Sequence, residues 1–183
     1  REGRMAYALG EGAFSYVSAG EMKLENGASC SQKLDLPSGH YHGLVVTLDP
    51  EQASRSLPNV MAGFSVTPAA ILRRFALNKM PKVIACTERV AHIFEEMYRV
   101  PEKARISYFQ IKILELLLAL DSMTPPKENA AHPYFYKTQL EKTKAVRDFL
   151  AEHISENFTQ EELSARFDFA LTPMKTCFKA AYG

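Results

Sequence analysis

Four side chains near the end of this 183-residue chain, Thr172, Lys175, Thr176 and Lys179, carry hydroxyl and ammonium donors at helical spacing i, i+3, i+4, i+7. Donors of these types bind phosphate oxygens and base edges. A second chemistry is suggested by His40 and His42, which flank Tyr41. Residues two apart share one face of a strand, and two imidazoles so placed suit a metal ion. A metal also needs a third and fourth ligand. The nearest carboxylates, Asp49 and Glu51, fall beyond the strand end, on a turn fixed by Pro50. No metal site is therefore assigned: His42 is expected as a core or pocket histidine and His40 as a strand-edge residue. Cys30, Cys86 and Cys177 are odd in number, widely spaced and free of any CxxC pattern, which points to a reducing, cytoplasmic setting. GxSxG, Walker-type and HExxH patterns are absent, and the glycines at 10 and 12 open no lysine-bearing helix. No catalytic residue and no cofactor is assigned, and the chain is not expected to be an enzyme.

The basic quartet must be carried by the stretch 159–183, whose period is that of two short amphipathic helices around a break. Thr159 can cap the first helix, with Glu162 completing a capping box and Phe158 packing on Leu163. Leu163, the stem of Arg166 and Phe167 form its inward face. Asp168, Phe169 and Ala170 interrupt the pattern, and Thr172-Pro173 restarts it with proline in the first turn. Met174, Cys177, Phe178 and Ala181 recur on one apolar face, the quartet lies opposite, and Gly183 is the expected left-handed terminator. The pattern fits a helix-turn-helix whose second helix enters the major groove. From spacing alone, an ordinary helical hairpin with a solvated basic face fits as well.

The residues Leu163-Ser164, Phe169-Ala170 and Cys177-Phe178-Lys179-Ala180-Ala181-Tyr182-Gly183 resemble the first helix-turn-helix of AraC-type transcriptional regulators. Ala170 falls where that family usually has a capping serine, so the second helix is expected to begin late, at Thr172-Pro173. Upstream, Leu36-Pro37 and His40-Tyr41-His42-Gly43 through Asp49 resemble the last sheet strand of the sensing domain in one bacterial subgroup. Residues 1–4 look like the middle of a strand there, which implies further residues ahead of Arg1. The resemblance implies a cupin-like sensing barrel, a small-molecule effector, homodimerisation through helices after the barrel, and two helix-turn-helix units, of which this chain carries the first. Weak operator binding by these 183 residues alone, or none, is the corresponding expectation.

The pattern of the preceding residues agrees with an α+β chain. Residues 13–19 are strand-like, with Phe14, Tyr16 and Ser18 on one face, and Asn26-Gly27 is the strongest hairpin signal. Residues 32–36 alternate, as do 41–49, with His42, Leu44, Val46 and Leu48 on one face. A small antiparallel cupin-like barrel or sandwich is expected, with Tyr16 and His42 as candidate effector contacts. Helical patterns follow at 51–57, 69–77 and 87–99. The helix expected at 102–122 is apolar on two sides: Ile106, Phe109, Ile113, Leu116, Leu117 and Leu120 on one, Ile111, Leu114 and Leu118 on another. Either stripe suits core packing or a partner. With the resemblance, Phe109, Ile113, Leu116, Leu117 and Leu120 become the candidate dimerisation residues. Residues 123–132, with two consecutive prolines, have the composition of a linker. A helix at 139–155 with Val146, Phe149, Leu150 and Ile154 inward completes a three-helix unit. The expected organisation is thus a sensing and dimerising part at 1–122, a linker at 123–137 and a partial DNA-binding part at 138–183.

Net charge is +1, so DNA affinity would have to come from a local patch rather than bulk charge. From residue 139 onward six cations face seven acids, which places the whole demand on the quartet. No apolar run is long enough for a membrane helix. The leading expectation is a sequence-specific, effector-responsive DNA-binding regulator. The alternatives are a cupin-like ligand- or metal-binding protein with a helical tail, and an interaction module built on helix 102–122.

Overall fold

The computed structural model describes residues 2–10, 12–27, 34–77, 80–126 and 133–183; Cys30, Gln32 and Lys33 lie outside them. The chain is α+β, and its described strands all pair antiparallel. It divides into two compact units that interleave in sequence: 1–19, 31–42 and 132–183 form one, and 20–30 with 43–131 form the other. These units cut across the boundaries expected at 122 and 137, because the amino-terminal strands share a unit with the carboxy-terminal helices.

In the first unit, β1 (Glu2–Gly10) and β2 (Ala13–Ser18) form a hairpin. Gly10 and Gly12 both adopt positive φ at its turn, a conformation glycine enters without steric cost. β4 (Leu34–Asp35) and β5 (Tyr41–His42) pair with β1, and β7 (Phe135–Tyr136) pairs with β2. Gly3 is required where β1 meets β5, since a Cβ there would lie 2.2 Å from the His40 carbonyl oxygen. The sheet carries α5 (Lys137–Glu152), α6 (Gln160–Arg166) and α7 (Leu171–Tyr182). One core joins them: Ala6, Tyr16 and Phe135 from strands, Val146 and Phe149 from α5, Leu163, and Met174, Cys177 and Ala181 from α7. Burying each large apolar side chain contributes about 1.5–3 kcal/mol.

The second unit pairs β3 (Glu21–Leu24) with β6 (Lys82–Ala85) and packs α2 (Pro68–Arg74) and α3 (Glu88–Arg99) on α4 (Arg105–Ser122), with α1 (Pro50–Val60) against α2. Asp49 caps α1, accepting from the Glu51 and Gln52 amides at 2.9 and 2.8 Å. Thr67 and Thr87 cap α2 and α3. Phe75, Val90, Ile93 and Leu117 are at most 3% exposed at the centre of this core.

Several expectations are corrected. No closed barrel forms among the described residues. Among the described residues β3 pairs with β6 and β4 joins β1, while the strand expected after Asn26-Gly27 falls on residues 28–33, outside those described. The alternation over 41–49 yields only the two-residue β5. Leu44, Val46 and Leu48 pack on the second core and Val45 is 88% exposed, so the alternation sets burial without a strand partner to ladder against. Part of the expected linker is ordered as β7, because Phe135 fills the first core. Ile154 is 89% exposed, since α5 stops at Glu152 and the residue falls out of helical phase. β6, between the helical patterns at 69–77 and 87–99, was unread in the sequence.

Candidate nucleic-acid interface

The geometry of α6 and α7 follows from their ends. Thr159 Oγ1 accepts from the Glu162 amide at 3.2 Å, and Glu162 Oε2 accepts from the Thr159 amide at 2.7 Å. These bonds to Thr159, backbone first and hydroxyl second, hold the Glu162 carboxyl below the usual carboxylate range. At the other end Asp168 takes the left-handed conformation, φ 45°. The Asp168 amide donates to Ala165 O and the Phe169 amide to Ser164 O, at 3.4 and 3.0 Å. This is a Schellman closure, usually reserved for glycine. Lys142 of α5 steadies the non-glycine turn, donating to the Asp168 carbonyl and lying 3.2 Å from its carboxylate.

Leu171 opens α7 directly after Ala170, which supplies no side-chain cap. The late start expected at Thr172-Pro173 does not occur: the Met174 amide bonds Ala170 O at 3.0 Å, and Pro173 occupies the third helical position, where no intrahelical N–H bond is needed. Met174, Cys177 and Ala181 are buried, at most 4% exposed, and Phe178 is half-buried. Burial pushes the Cys177 thiol up, with a smaller opposing effect from the Thr143 hydroxyl. Thr172, Lys175, Thr176 and Lys179 are all exposed in one stripe. The Thr176 hydroxyl is engaged with Thr172 O at 3.0 Å, which leaves its lone pairs as acceptors. No acidic residue occurs on α7, so the field along this face is cationic.

Against family models, curated proteins and solved structures, the chain matches none.

Sequence reasoning missed Arg4. Its guanidinium reaches from β1 to the last turn of α7, donating to the Lys179 carbonyl and, at 2.6 Å, to that of Ala180. A cation there complements the helix dipole and adds a donor to the last-turn carbonyls, that of Lys179 also accepting from the Gly183 amide at 3.0 Å. Nothing local marks it, because the partners are 175 residues apart.

The other candidate residues are dispersed. Tyr16 is 2% exposed in the first core. His42 is exposed on β5 and is not the core histidine expected, because β5 pairs only with the end of β1. His40 Nδ1 lies 3.2 Å from Ser38 O. No group of three His, Cys, Asp or Glu that could hold a metal converges among the described residues. Of the candidate dimerisation residues, Leu116, Leu117 and Leu120 are 3–6% exposed and belong to the second core, with Phe109 and Ile113 packed against it. The apolar side chains α4 leaves outside are Ile106, Ile111 and Leu118. No described helix is long and apolar enough to cross a membrane.

Proposed function

We propose that this chain is part of a cytoplasmic, sequence-specific DNA-binding transcription regulator that answers to a small effector. The observation that carries the proposal is the exposed stripe Thr172, Lys175, Thr176 and Lys179 on an acid-free helix, held across α6 by a closed turn. In this reading α7 enters the major groove. Lys175 and Thr176 stand near base edges, and Lys179 lies against phosphate. The amino-terminal strands belong to a cupin-like sensing region, and a homodimer would meet through Ile111 and Leu118 rather than through the buried leucines of α4.

The test is binding of the chain to its own upstream DNA by fluorescence anisotropy across a salt series. Lys179→Gln is expected to weaken binding to all sequences alike and to lower the salt slope by about one. Lys175→Gln and Thr176→Ala are expected to change the ranking of sequences. Weak binding or none accords with a chain that carries one of two helix-turn-helix units; binding that is detected but unaltered in all three variants would remove the basis of the proposal.

A further inference from the structure

Within the first unit, a half-open cavity of about 340 Å³ lies between the turn 36–39 and helices α5 and α7. We infer that it binds a small amphipathic carboxylate, and that this is the class of effector; the second half of the inference rests on the regulator reading above.

The walls supply both parts of such a ligand's recognition. Leu36, Leu140 and the rings of Tyr16 and Tyr182 offer apolar surface, while Lys144 and Arg147 bring two cations from successive turns of α5. No carboxylate lines the cavity among the described residues. Lys144 makes no hydrogen bond or ion pair among them either. Arg147 is held by its neighbours, with Cζ 5.7 Å above the Tyr182 ring. Its Nε is sealed from solvent. Asp148 Oδ1 is 2.9 Å from it but off the N–H direction, so the donor makes no hydrogen bond.

Lys144 has no opposing acid among the described residues, and Arg147's acid partner, Asp148, lies outside the lining, so the cavity favours a negative head group, and a guanidinium matches a carboxylate's two oxygens. Leu36, Leu140 and the Tyr182 ring would be left unfilled by a bare phosphate, which favours an occupant with an organic body. The volume suits a small organic body. An occupant would touch Tyr182, on the same helix as Lys175 and Lys179, and so would bear on the helix that meets DNA.

The experiment uses the 183-residue chain with octanoate, 1-octanol and inorganic phosphate as separate probes. Octanoate is expected to raise the melting temperature and to shift the ring resonances of Tyr16 and Tyr182, with octanol and phosphate doing neither to the same extent. Lys144→Gln, at an exposed position, is expected to weaken octanoate binding about tenfold, the worth of one charge-assisted hydrogen bond. Equal responses to octanol or phosphate would overturn the inference. So would a Lys144→Gln chain that keeps full octanoate affinity but shows a shallower salt slope on DNA, which would assign this cation to the phosphate backbone. Because the octanoate response needs no DNA, a chain that binds octanoate as described but no operator keeps the site and loses the effector role. Operator binding without an octanoate response loses the site and keeps the regulator.

Discussion

Helices α4 and α7 are both apolar over much of their circumference, yet they present opposite surfaces. α4 buries Leu114, Leu116, Leu117, Ala119 and Leu120, a set that points to several sides and needs α2 and α3 around it. Beside the polar Arg105, Ser107 and Gln110, what remains outside includes an aliphatic pair: Ile111 and Leu118, seven residues apart on one face, are 61% and 42% exposed. α7 buries a narrower set, and what remains outside is hydroxyl and ammonium. The contrast teaches that the chemistry of the uncovered arc, rather than the width of the apolar one, separates a helix suited to another protein from one suited to a hydrated polyanion. Aliphatic surface gains by leaving water, whereas donors gain from acceptors held in place.

Four changes break or sharpen the contrast. The largest effect is expected for Leu117→Ala, a loss of about 2–5 kcal/mol by chemical denaturation, since a cavity would open at the centre of the second core. A small loss of stability with dissociation of an oligomer would instead make Leu117 an interface residue. Next, Cys177→Ser is expected to cost about 1–3 kcal/mol, because a hydroxyl replaces a thiol in a fully buried position. The same variant tests a pH effect. With its folded pKa raised by burial, the thiol's contribution to stability is complete below its ordinary value of 9.0 and is lost as pH rises through the folded value. Serine should remove that alkaline decline.

Thr159→Ala is expected to cost about 1 kcal/mol through loss of the α6 cap, measured by thermal or urea unfolding. The Glu162 carboxyl, depressed by its bonds to Thr159, contributes stability above the ordinary glutamate range that is lost as pH falls through the lowered folded value. Alanine keeps the amide that makes the larger of those bonds, so Glu162→Gln, which removes the carboxylate, is the variant that should abolish that acid limb. The smallest effect is expected for Ile111→Lys with Leu118→Lys, within about 0.5 kcal/mol on the stability of a single chain. Sedimentation of the same variant then reports whether this face joins two copies.

The helices were legible because their determinants are local. Thr159 with Glu162, Thr87 before α3 and Pro50 at the start of α1 act within one turn of their own position, and the buried faces of α3 and α7 follow from their period. The strands were less so, because a ladder needs a partner chosen elsewhere. Residues 41–49 alternate correctly in burial yet pair only at Tyr41–His42, and β3 finds β6 across some sixty residues that carry no mark of the pairing. β6 itself is a short Val-Ile run after Pro81, and four residues carry too little period to announce a strand. The basic stripe of the candidate interface was legible for the same local reason as the helices. Arg4 and Lys142, which hold the ends of α7 and α6, were not.

The bond from Arg4 to the last turn of α7 also has a meaning in time. Residue 4 leaves the ribosome 175 residues ahead of its acceptor. At synthesis rates of about 5–20 residues per second, the guanidinium waits on the order of ten to thirty-five seconds. Until then it is an uncommitted cation on a nascent hairpin, and α7 is the part of the unit whose completion depends on the earliest strand already being in place.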